Sequence, residues 1–217
     1  MPVKCPVCRQ DSTEQWLTVD TRPYWRCSDC QARFLDPDHL PDRRIEKAEY
    51  DQHQNDPGDP GYRQFLQQLL TPLLERIGPG SRGLDYGCGP GPALAYMLEE
   101  AGHTMSLFDP IYAPDPGVLD TTYDFVTCTE VVEHFHDPAT EFRQLDRLLK
   151  PGGWLGVMTR FQTDDDRFAG WHYRRDPTHV VFYRPETFEW LGRHLGWEAE
   201  CLPPQVVMAR KKVKGER

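Results

Sequence analysis

Three glycines follow a short strand-like segment in the stretch Leu84-Asp85-Tyr86-Gly87-Cys88-Gly89-Pro90-Gly91. The pattern predicts a strand over Arg82–Tyr86, and a helix is predicted from about Pro92 to Glu100. Glycines between a strand and a helix let the backbone pass close to a ligand before the helix begins. This unit therefore predicts an α/β fold with a binding site at the end of a strand.

Strands and helices alternate along the rest of the chain. Further strands are predicted at 104–108, 125–128, 154–159, 197–201 and 206–210, with helices at 139–149 and 186–195. An apolar stripe with helical spacing runs from Phe65 to Ile77 and is interrupted by Pro72. The order predicts a Rossmann-like, mostly parallel, doubly wound sheet with an antiparallel closing strand.

Four of the seven cysteines form two Cys-x-x-Cys pairs, Cys5 with Cys8 and Cys27 with Cys30, separated by 18 residues. Each pair can offer two thiolates to one tetrahedral ion, so the spacing predicts a zinc ribbon over residues 1–36 with a structural Zn²⁺. A redox function or accidental pairing explains two such pairs less well. The knuckle either is a folding nucleus packed on the main domain or is a platform for a substrate, a partner or RNA. Its few basic residues favour the first interpretation.

The chain carries 34 acidic and 25 basic side chains, for a formal charge of −9. A negative overall field weakens the case for general nucleic-acid binding without excluding a local basic patch. The sequence has no apolar run long enough to span a bilayer, and its first residues do not resemble a signal peptide. We therefore expect a cytoplasmic protein, with a linker over 37–62 and the main domain over 63–212. The sequence does not indicate an oligomeric state.

The glycine motif and its surroundings resemble the class I S-adenosylmethionine-dependent methyltransferases. Asp85 precedes Gly-x-Gly-x-Gly, Asp109 ends the second strand, and Leu149-Lys150-Pro151-Gly152-Gly153 matches the family's turn before the fifth strand. The resemblance covers roughly 63–210 and implies S-adenosylmethionine as cofactor, with Asp109 holding the ribose hydroxyls. The implied cofactor-binding positions are Asp85, Gly87, Cys88, Gly89, Gly91, Asp109 and Thr129.

One departure from the family pattern concerns the third strand. Only fifteen residues separate Asp109 from the strand that begins at Phe125. The third strand is therefore expected to be short or missing, and the usual acidic contact to adenine is not assigned. A nicotinamide-dependent dehydrogenase is the competing use of such a loop, but the Gly-Cys-Gly-Pro-Gly form and the later turn favour methyl transfer.

Glu130, Glu133 and His134 crowd together just after the fourth predicted strand, and His179 lies further along. This arrangement resembles the polyprenyl catechol O-methyltransferases of quinone biosynthesis and the small-RNA 3′-terminal 2′-O-methyltransferases. The resemblance implies a second divalent ion held by these four residues, with Glu133, His134 and His179 as catalytic candidates. The donor set suits Mn²⁺, Fe²⁺, Co²⁺ or Zn²⁺ better than Mg²⁺. Without a metal, His179 would be a general base and the others cofactor, substrate or core contacts.

The irregular segment 160–183 carries Trp171, His172 and Tyr173, which are candidates to line the acceptor pocket, although aromatic residues in such a loop are otherwise core contacts. The leading functional hypothesis is O-methylation of a small hydroxylated acceptor, aromatic or sugar-like. An RNA methyltransferase that docks through the zinc knuckle is a second hypothesis. A non-catalytic protein that binds S-adenosylmethionine is the third.

Overall fold

The computed structural model describes residues 3–52 and 55–215. The strands are β1 (Thr13–Val19), β2 (Arg22–Cys27), β3 (Arg33–Leu35), β4 (Arg82–Tyr86), β5 (Thr104–Phe108), β6 (Tyr123–Thr129), β7 (Leu149–Met158), β8 (Val181–Phe182), β9 (Trp197–Leu202) and β10 (Val206–Lys211). The α-helices are α1 (Arg43–Tyr50), α2 (Pro60–Leu74), α3 (Ala93–Glu100), α4 (Pro138–Leu148) and α5 (Pro185–Leu195). Among the described residues, no helix has the length and apolar character needed to cross a membrane.

The central sheet has six strands in the order β5-β4-β6-β7-β10-β9. β5, β4, β6 and β7 are parallel, whereas β10 pairs antiparallel with both β7 and β9. The predicted Rossmann-like sheet with an antiparallel closing strand is confirmed. In the described chain no strand separates β5 from β6, and a 3-10 turn at Pro116–Asp120 is found there instead. The carboxyl ends of β4, β5, β6 and β7 meet at one edge, which is where a parallel sheet binds ligands.

The apolar stripe predicted in the sequence becomes the buried face of α2. Its four leucines are at most 5% exposed, and they pack in one cluster with α3 and the central sheet: Leu66, Leu69, Leu70 and Leu73. At about 1.5–3 kcal/mol for each fully buried leucine, this face contributes an upper estimate of about 6–12 kcal/mol. Asp59 caps the helix by accepting a hydrogen bond from the backbone N–H of Tyr62. Pro72 lies inside α2.

A second sheet, in the order β1-β2-β3-β8, holds the N-terminal region. The hairpin of β1 and β2 joins the two cysteine pairs, and the four-cysteine cluster beside it is compatible with the predicted zinc ribbon. The fourth strand, β8, comes from the main domain: Arg33 pairs with Phe182 and Phe34 with Val181. The N-terminal region is therefore hydrogen-bonded into the segment that directly follows His179.

Residues 37–62 were predicted as a linker with one helical turn around Arg43–Tyr50, and the structure has the helix α1 at that place. Asp42 accepts hydrogen bonds from the N–H groups of Arg44 and Ile45 and begins the eight-residue helix α1. The end of the same segment forms the first turn of α2. The described residues of this segment, 37–52 and 55–62, therefore have a defined path across the main domain.

Candidate active site

The glycine loop leaves β4 in a backbone conformation that favours glycine. Gly87 and Gly89 have φ values of +79° and +62°. The N–H groups of Gly87 and Cys88 both donate to the carbonyl oxygen of Phe108, at 2.7 and 3.1 Å. These bonds fix the loop against the end of β5. Cys88 itself is buried, and burial raises the pKa of its thiol to about 12.

Asp85 is the last but one residue of β4, and its carboxylate lies under the glycine loop. The hydroxyl of Thr127 donates to Asp85 Oδ1 over 2.7 Å. Burial raises the pKa of Asp85 to about 6, and the charge of Asp109 acts in the same direction. Two carboxylates therefore share this edge of the sheet.

Asp109 follows β5, and backbone groups hold its carboxylate. Oδ2 accepts from the N–H of Gly89 over 3.1 Å, and Oδ1 accepts from the N–H groups of Ile111 and Tyr112 over 2.8 and 3.0 Å. Three donors fix the direction of this side chain, and no cationic group of residues 3–52 and 55–215 forms an ion pair with it. Asp109 is thereby tied to the glycine loop, as the predicted ribose contact requires.

Three residues of the segment predicted as a linker cover this edge and were not among the predicted site residues: Tyr50, Asn55 and Tyr62. A Cβ atom on Gly91 would lie 1.8 Å from the carbonyl oxygen of Asn55, so the backbone of residue 55 crosses directly over the glycine loop. The Tyr50 ring meets the ring of His134 edge to face, with 5.2 Å between centroids. Burial raises the pKa of Tyr62 to about 12, with the site's carboxylates adding to the shift. Tyr50 and Tyr62, two aromatic residues in an otherwise polar segment, were the sequence feature that could have indicated this cover.

A second cluster lies beyond the carboxyl end of β6. Glu133, His134 and His179 each offer a ligand atom, and these atoms all lie within 4.8 Å of one another. The Glu133 side chain is fully buried, and burial raises the pKa of its carboxyl while His179 opposes the shift. Glu133 Oε2 has no hydrogen-bond partner among the described residues. A buried, partnerless carboxylate oxygen beside two imidazoles is a suitable ligand for a cation.

Hydrogen bonds to carbonyl groups fix the tautomers of the two histidines. His134 Nδ1 lies 3.1 Å from the carbonyl oxygen of Thr178, and His179 Nδ1 lies 2.7 Å from that of Tyr173. A carbonyl oxygen only accepts, so each Nδ1 carries the proton and each Nε2 carries a lone pair in the neutral ring. His179 Nε2 is 4.0 Å from Glu133 Oε1. Backbone support of this kind is typical of metal-binding histidines.

Glu130 is not one of the three residues whose ligand atoms lie within 4.8 Å of one another, and its role as a fourth ligand stays a prediction. Glu130 is the first residue after β6, and its backbone has φ +51°. Its Oε2 lies 3.4 Å from Tyr173 Oη. Glu130 Oε1, like Glu133 Oε2, is buried without a hydrogen-bond partner among the described residues. Burial, and then the charge of Glu133, raise the pKa of Glu130 to about 9.

The hydroxyl of Thr129, a predicted cofactor contact, is buried without a partner among the described residues.

The three consecutive residues predicted to line an acceptor pocket have different positions. Tyr173 is buried, donates a hydrogen bond to Glu133 Oε1 and accepts one from the N–H of Arg160 over 3.2 Å. It therefore supports the cluster from behind. His172 is exposed, and Trp171 lines a pocket of about 350 Å³, together with Arg160, Phe161, Thr163, Pro185, Pro203 and Pro204.

The four N-terminal cysteines also form a cluster with their thiols buried. The Sγ atoms of Cys5 and Cys30 are 3.5 Å apart, as are those of Cys8 and Cys27. A disulfide requires about 2.05 Å, so all four thiols are free. Tetrahedral ligands at about 2.3 Å from zinc are separated by about 3.8 Å, close to the observed spacing. The donor set fits Zn²⁺.

Comparisons with known proteins agree with this geometry. Residues 59–202 match a family described as a methyltransferase domain. The ubiquinone biosynthesis O-methyltransferase of Paracidovorax citrulli is 34% identical over 121 residues, which cover 43% of this chain and 50% of that protein. The protein of the same name from Sodalis glossinidius is 33% identical over 85 residues, covering 39% of this chain and 34% of that protein. The chain thus spans half or less of the length of these curated relatives.

A solved structure extends the comparison to nearly the whole chain. It is the 1,6-didemethyltoxoflavin-N1-methyltransferase of Burkholderia thailandensis, with bound 1,6-didemethyltoxoflavin and S-adenosylhomocysteine. It superimposes with a TM-score of 0.55 at 16% identity and covers 92% of this chain and 100% of that one. At this identity the likeness concerns the fold.

Proposed function

This chain belongs to the methyltransferase domain family and is an S-adenosylmethionine-dependent methyltransferase, and we propose that it methylates an oxygen atom of a small hydroxylated acceptor. The single observation that carries the proposal is the cluster of Glu133, His134 and His179 at the carboxyl end of β6. The two curated relatives compared above are named ubiquinone biosynthesis O-methyltransferases, which favours oxygen over nitrogen as the accepting atom.

We assign the cofactor to the edge formed by β4 and β5. Asp85, Gly87 and Gly89 would hold its methionine part, with Cys88, Gly91 and Thr129 beside it. Asp109 would accept hydrogen bonds from the two ribose hydroxyls. The support is that backbone donors already orient both oxygens of Asp109, so its acceptor lone pairs have fixed directions.

We propose that Glu133, His134 and His179 hold a divalent cation of the Mn²⁺ type. Two imidazoles and one carboxylate suit Mn²⁺, Fe²⁺, Co²⁺ or Zn²⁺ better than Mg²⁺. When bound, such an ion lowers the pKa of a coordinated acceptor hydroxyl and fixes its direction. Adjacent hydroxyls, as in a catechol, would match this arrangement best.

A side chain of the protein would accept the proton that the acceptor hydroxyl loses. With a cation held by Glu133, His134 and His179, Glu130 would be ionised, because nearby positive charge favours the carboxylate. Its position just outside the cluster allows it to accept the proton of the acceptor hydroxyl. The hydroxyl oxygen attacks the methyl carbon opposite the departing sulfur, and S-adenosylhomocysteine leaves as a neutral thioether. Tyr173 keeps Glu133 in place during this step through its hydrogen bond to Oε1.

We also propose that Cys5, Cys8, Cys27 and Cys30 bind one structural Zn²⁺. The buried thiols and their separations of 3.5 Å support this assignment. Such an ion would stabilise the hairpin of β1 and β2, which is too small to fold through its own core. The coordination would be closed, with no open position for a substrate.

The proposal is tested by calorimetric titration of Mn²⁺ into the full chain, loaded with zinc and saturated with S-adenosylhomocysteine. We expect one Mn²⁺ site in the wild type and in the control Glu99→Gln, which removes an exposed carboxylate from α3. Glu133→Gln should weaken Mn²⁺ binding by about ten-fold or more, the usual effect of losing a metal-site contact.

Product analysis tests the accepting atom. With Mn²⁺ present, catechol should yield a methoxyphenol, and Glu133→Gln should remove the stimulation by the metal. Absence of Mn²⁺ binding in a folded protein that holds S-adenosylhomocysteine would contradict the cation. Methylation of amines but not of catechols would contradict transfer to oxygen.

A further inference from the structure

The two carbonyl groups that orient the histidines assigned to the cation belong to one short segment. The Thr178 carbonyl oxygen lies 3.1 Å from His134 Nδ1. The Tyr173 carbonyl oxygen lies 2.7 Å from His179 Nδ1. We call residues 173–180 the histidine segment. Because it carries both acceptors and one of the two rings, its position determines where both Nε2 lone pairs point.

The N-terminal sheet is hydrogen-bonded to the end of the histidine segment. The N–H of Leu35, the last residue of β3, donates to the carbonyl oxygen of Val180 over 2.8 Å. The N–H of Val180 donates in turn to the carbonyl oxygen of Glu133 over 2.9 Å. Val180 directly follows His179, so this part of the segment is fixed between β3 and the residue that supplies the carboxylate ligand.

A guanidinium from the same sheet holds the middle of the segment. Arg22, the first residue of β2, donates from Nη2 to the carbonyl oxygen of Pro177 over 3.1 Å. The N–H of the same peptide group, that of Thr178, donates to Asp176 Oδ1 over 2.8 Å. Both polar ends of this peptide group are therefore fixed, and it directly precedes the carbonyl group that faces His134.

A second arginine joins the start of the segment to the N-terminal sheet. Arg174 is only 5% exposed, and its Nη2 lies 3.2 Å from Oδ2 of Asp20, which lies in the turn between β1 and β2. Its Nη1 lies 3.5 Å from the hydroxyl of Tyr24. A buried guanidinium requires such partners, and Arg174 shares a peptide group with the Tyr173 carbonyl that faces His179. The N-terminal sheet thus contacts the histidine segment at its start, middle and end.

We propose that Arg22 is a positioning residue, through which the N-terminal sheet fixes the histidine segment and so sets the affinity of the cluster for its cation. The inference rests on the proposed function, because the cation is the one assigned to Glu133, His134 and His179. Ligands bind a metal ion tightly when their supporting groups already hold them in the coordinating geometry. Without the Arg22 bond, the Thr178 carbonyl and the His134 ring lose part of this support. The N-terminal sheet is thereby part of the framework of the active site rather than a separate platform.

The test titrates Mn²⁺ calorimetrically into the full chain, loaded with zinc and saturated with S-adenosylhomocysteine. Arg22→Met removes the guanidinium and keeps a long side chain. It should weaken Mn²⁺ binding by about ten-fold, the lower end of the effect of losing a contact that supports metal ligands. Arg22→Lys keeps a cationic donor and should bind Mn²⁺ within about three-fold of the wild type. The control Arg26→Met removes the same group from the same strand, where it pairs with Glu14, and should bind as the wild type does.

Three further measurements distinguish positioning from a loss of fold: the zinc content, the affinity for S-adenosylhomocysteine and the electron paramagnetic resonance spectrum of bound Mn²⁺. In Arg22→Met we expect the first two to be unchanged and the Mn²⁺ spectrum to be altered, because a ligand has moved. Equal Mn²⁺ affinity in Arg22→Met and the wild type would overturn the assignment. So would a loss shared equally by Arg26→Met, or one accompanied by an equal loss of S-adenosylhomocysteine affinity. Absence of Mn²⁺ binding in the wild type would refute the proposed cation, and this inference with it.

Discussion

Replacement of one N-terminal thiol, Cys30→Ser, should destabilise the main domain as well as the N-terminal sheet. β3 and β8 are neighbours in one sheet, and their side chains Phe34, Leu35, Val181 and Phe182 are at most 2% exposed. If loss of the metal unfolds β1, β2 and β3, these four residues lose their cover together. A separate module would instead unfold without affecting the rest of the chain.

The magnitude follows from this shared apolar surface. Four buried side chains at about 1.5–3 kcal/mol each give an upper estimate of about 6–12 kcal/mol, within the range of a whole domain's stability. A loss of only about 3 kcal/mol lowers the Tm of a chain of this size by about 6–12 °C. We therefore expect a large decrease in Tm.

Scanning calorimetry of the full chain, with zinc content measured in parallel, provides the assay. Cys201→Ser is the matched control, because Cys201 is half-buried in β9 and lies outside the four-cysteine cluster. A Cys30→Ser protein with an unchanged Tm, or with a separate early transition and an unchanged main transition, would refute the reasoning. Either result would make the N-terminal region an independent module.

Three further predictions concern the central sheet. Gly87→Ala should weaken S-adenosylhomocysteine binding by about ten-fold or more in calorimetry. An alanine at φ +79° costs about 1–2 kcal/mol, and its Cβ would lie 2.5 Å from the Val131 side chain. The control Gly102→Ala, at φ +91° with no atom near the new Cβ, should leave this affinity unchanged. Tyr173→Phe should lower the free energy of unfolding in urea by about 1.5–3 kcal/mol, since a buried hydrogen bond to Glu133 is lost; an unchanged value would contradict this bond. Asp85 has a pKa of about 6 in the folded protein against 3.8 as its ordinary value, so the folded state binds more protons and stability should fall as pH rises through this window. The slope should be shallower in Asp85→Asn, and equal slopes from pH 4 to 6.5 would contradict the shift.

Local patterns in the sequence determined most of the architecture. The apolar spacing of residues 65–77 predicted the buried face of α2, and the motif ending at Gly91 predicted a strand, a turn and a helix. The spacing of the cysteine pairs predicted the hairpin and the cluster of thiols. Each of these features is fixed by residues close in the chain, where periodicity, glycine conformation and ligand spacing act directly.

Contacts between distant segments were decided by the tertiary structure. The sequence predicted Glu130, Glu133, His134 and His179 as one set, and only the tertiary structure shows that ligand atoms of the last three lie within 4.8 Å of one another. The pairing of β3 with β8 and the path of Asn55 over the glycine loop likewise depend on which surfaces meet. The polar segment 37–62 has no apolar periodicity that could predict its contacts. Its neighbours are determined only when the apolar faces of the sheet and helices beneath it have packed.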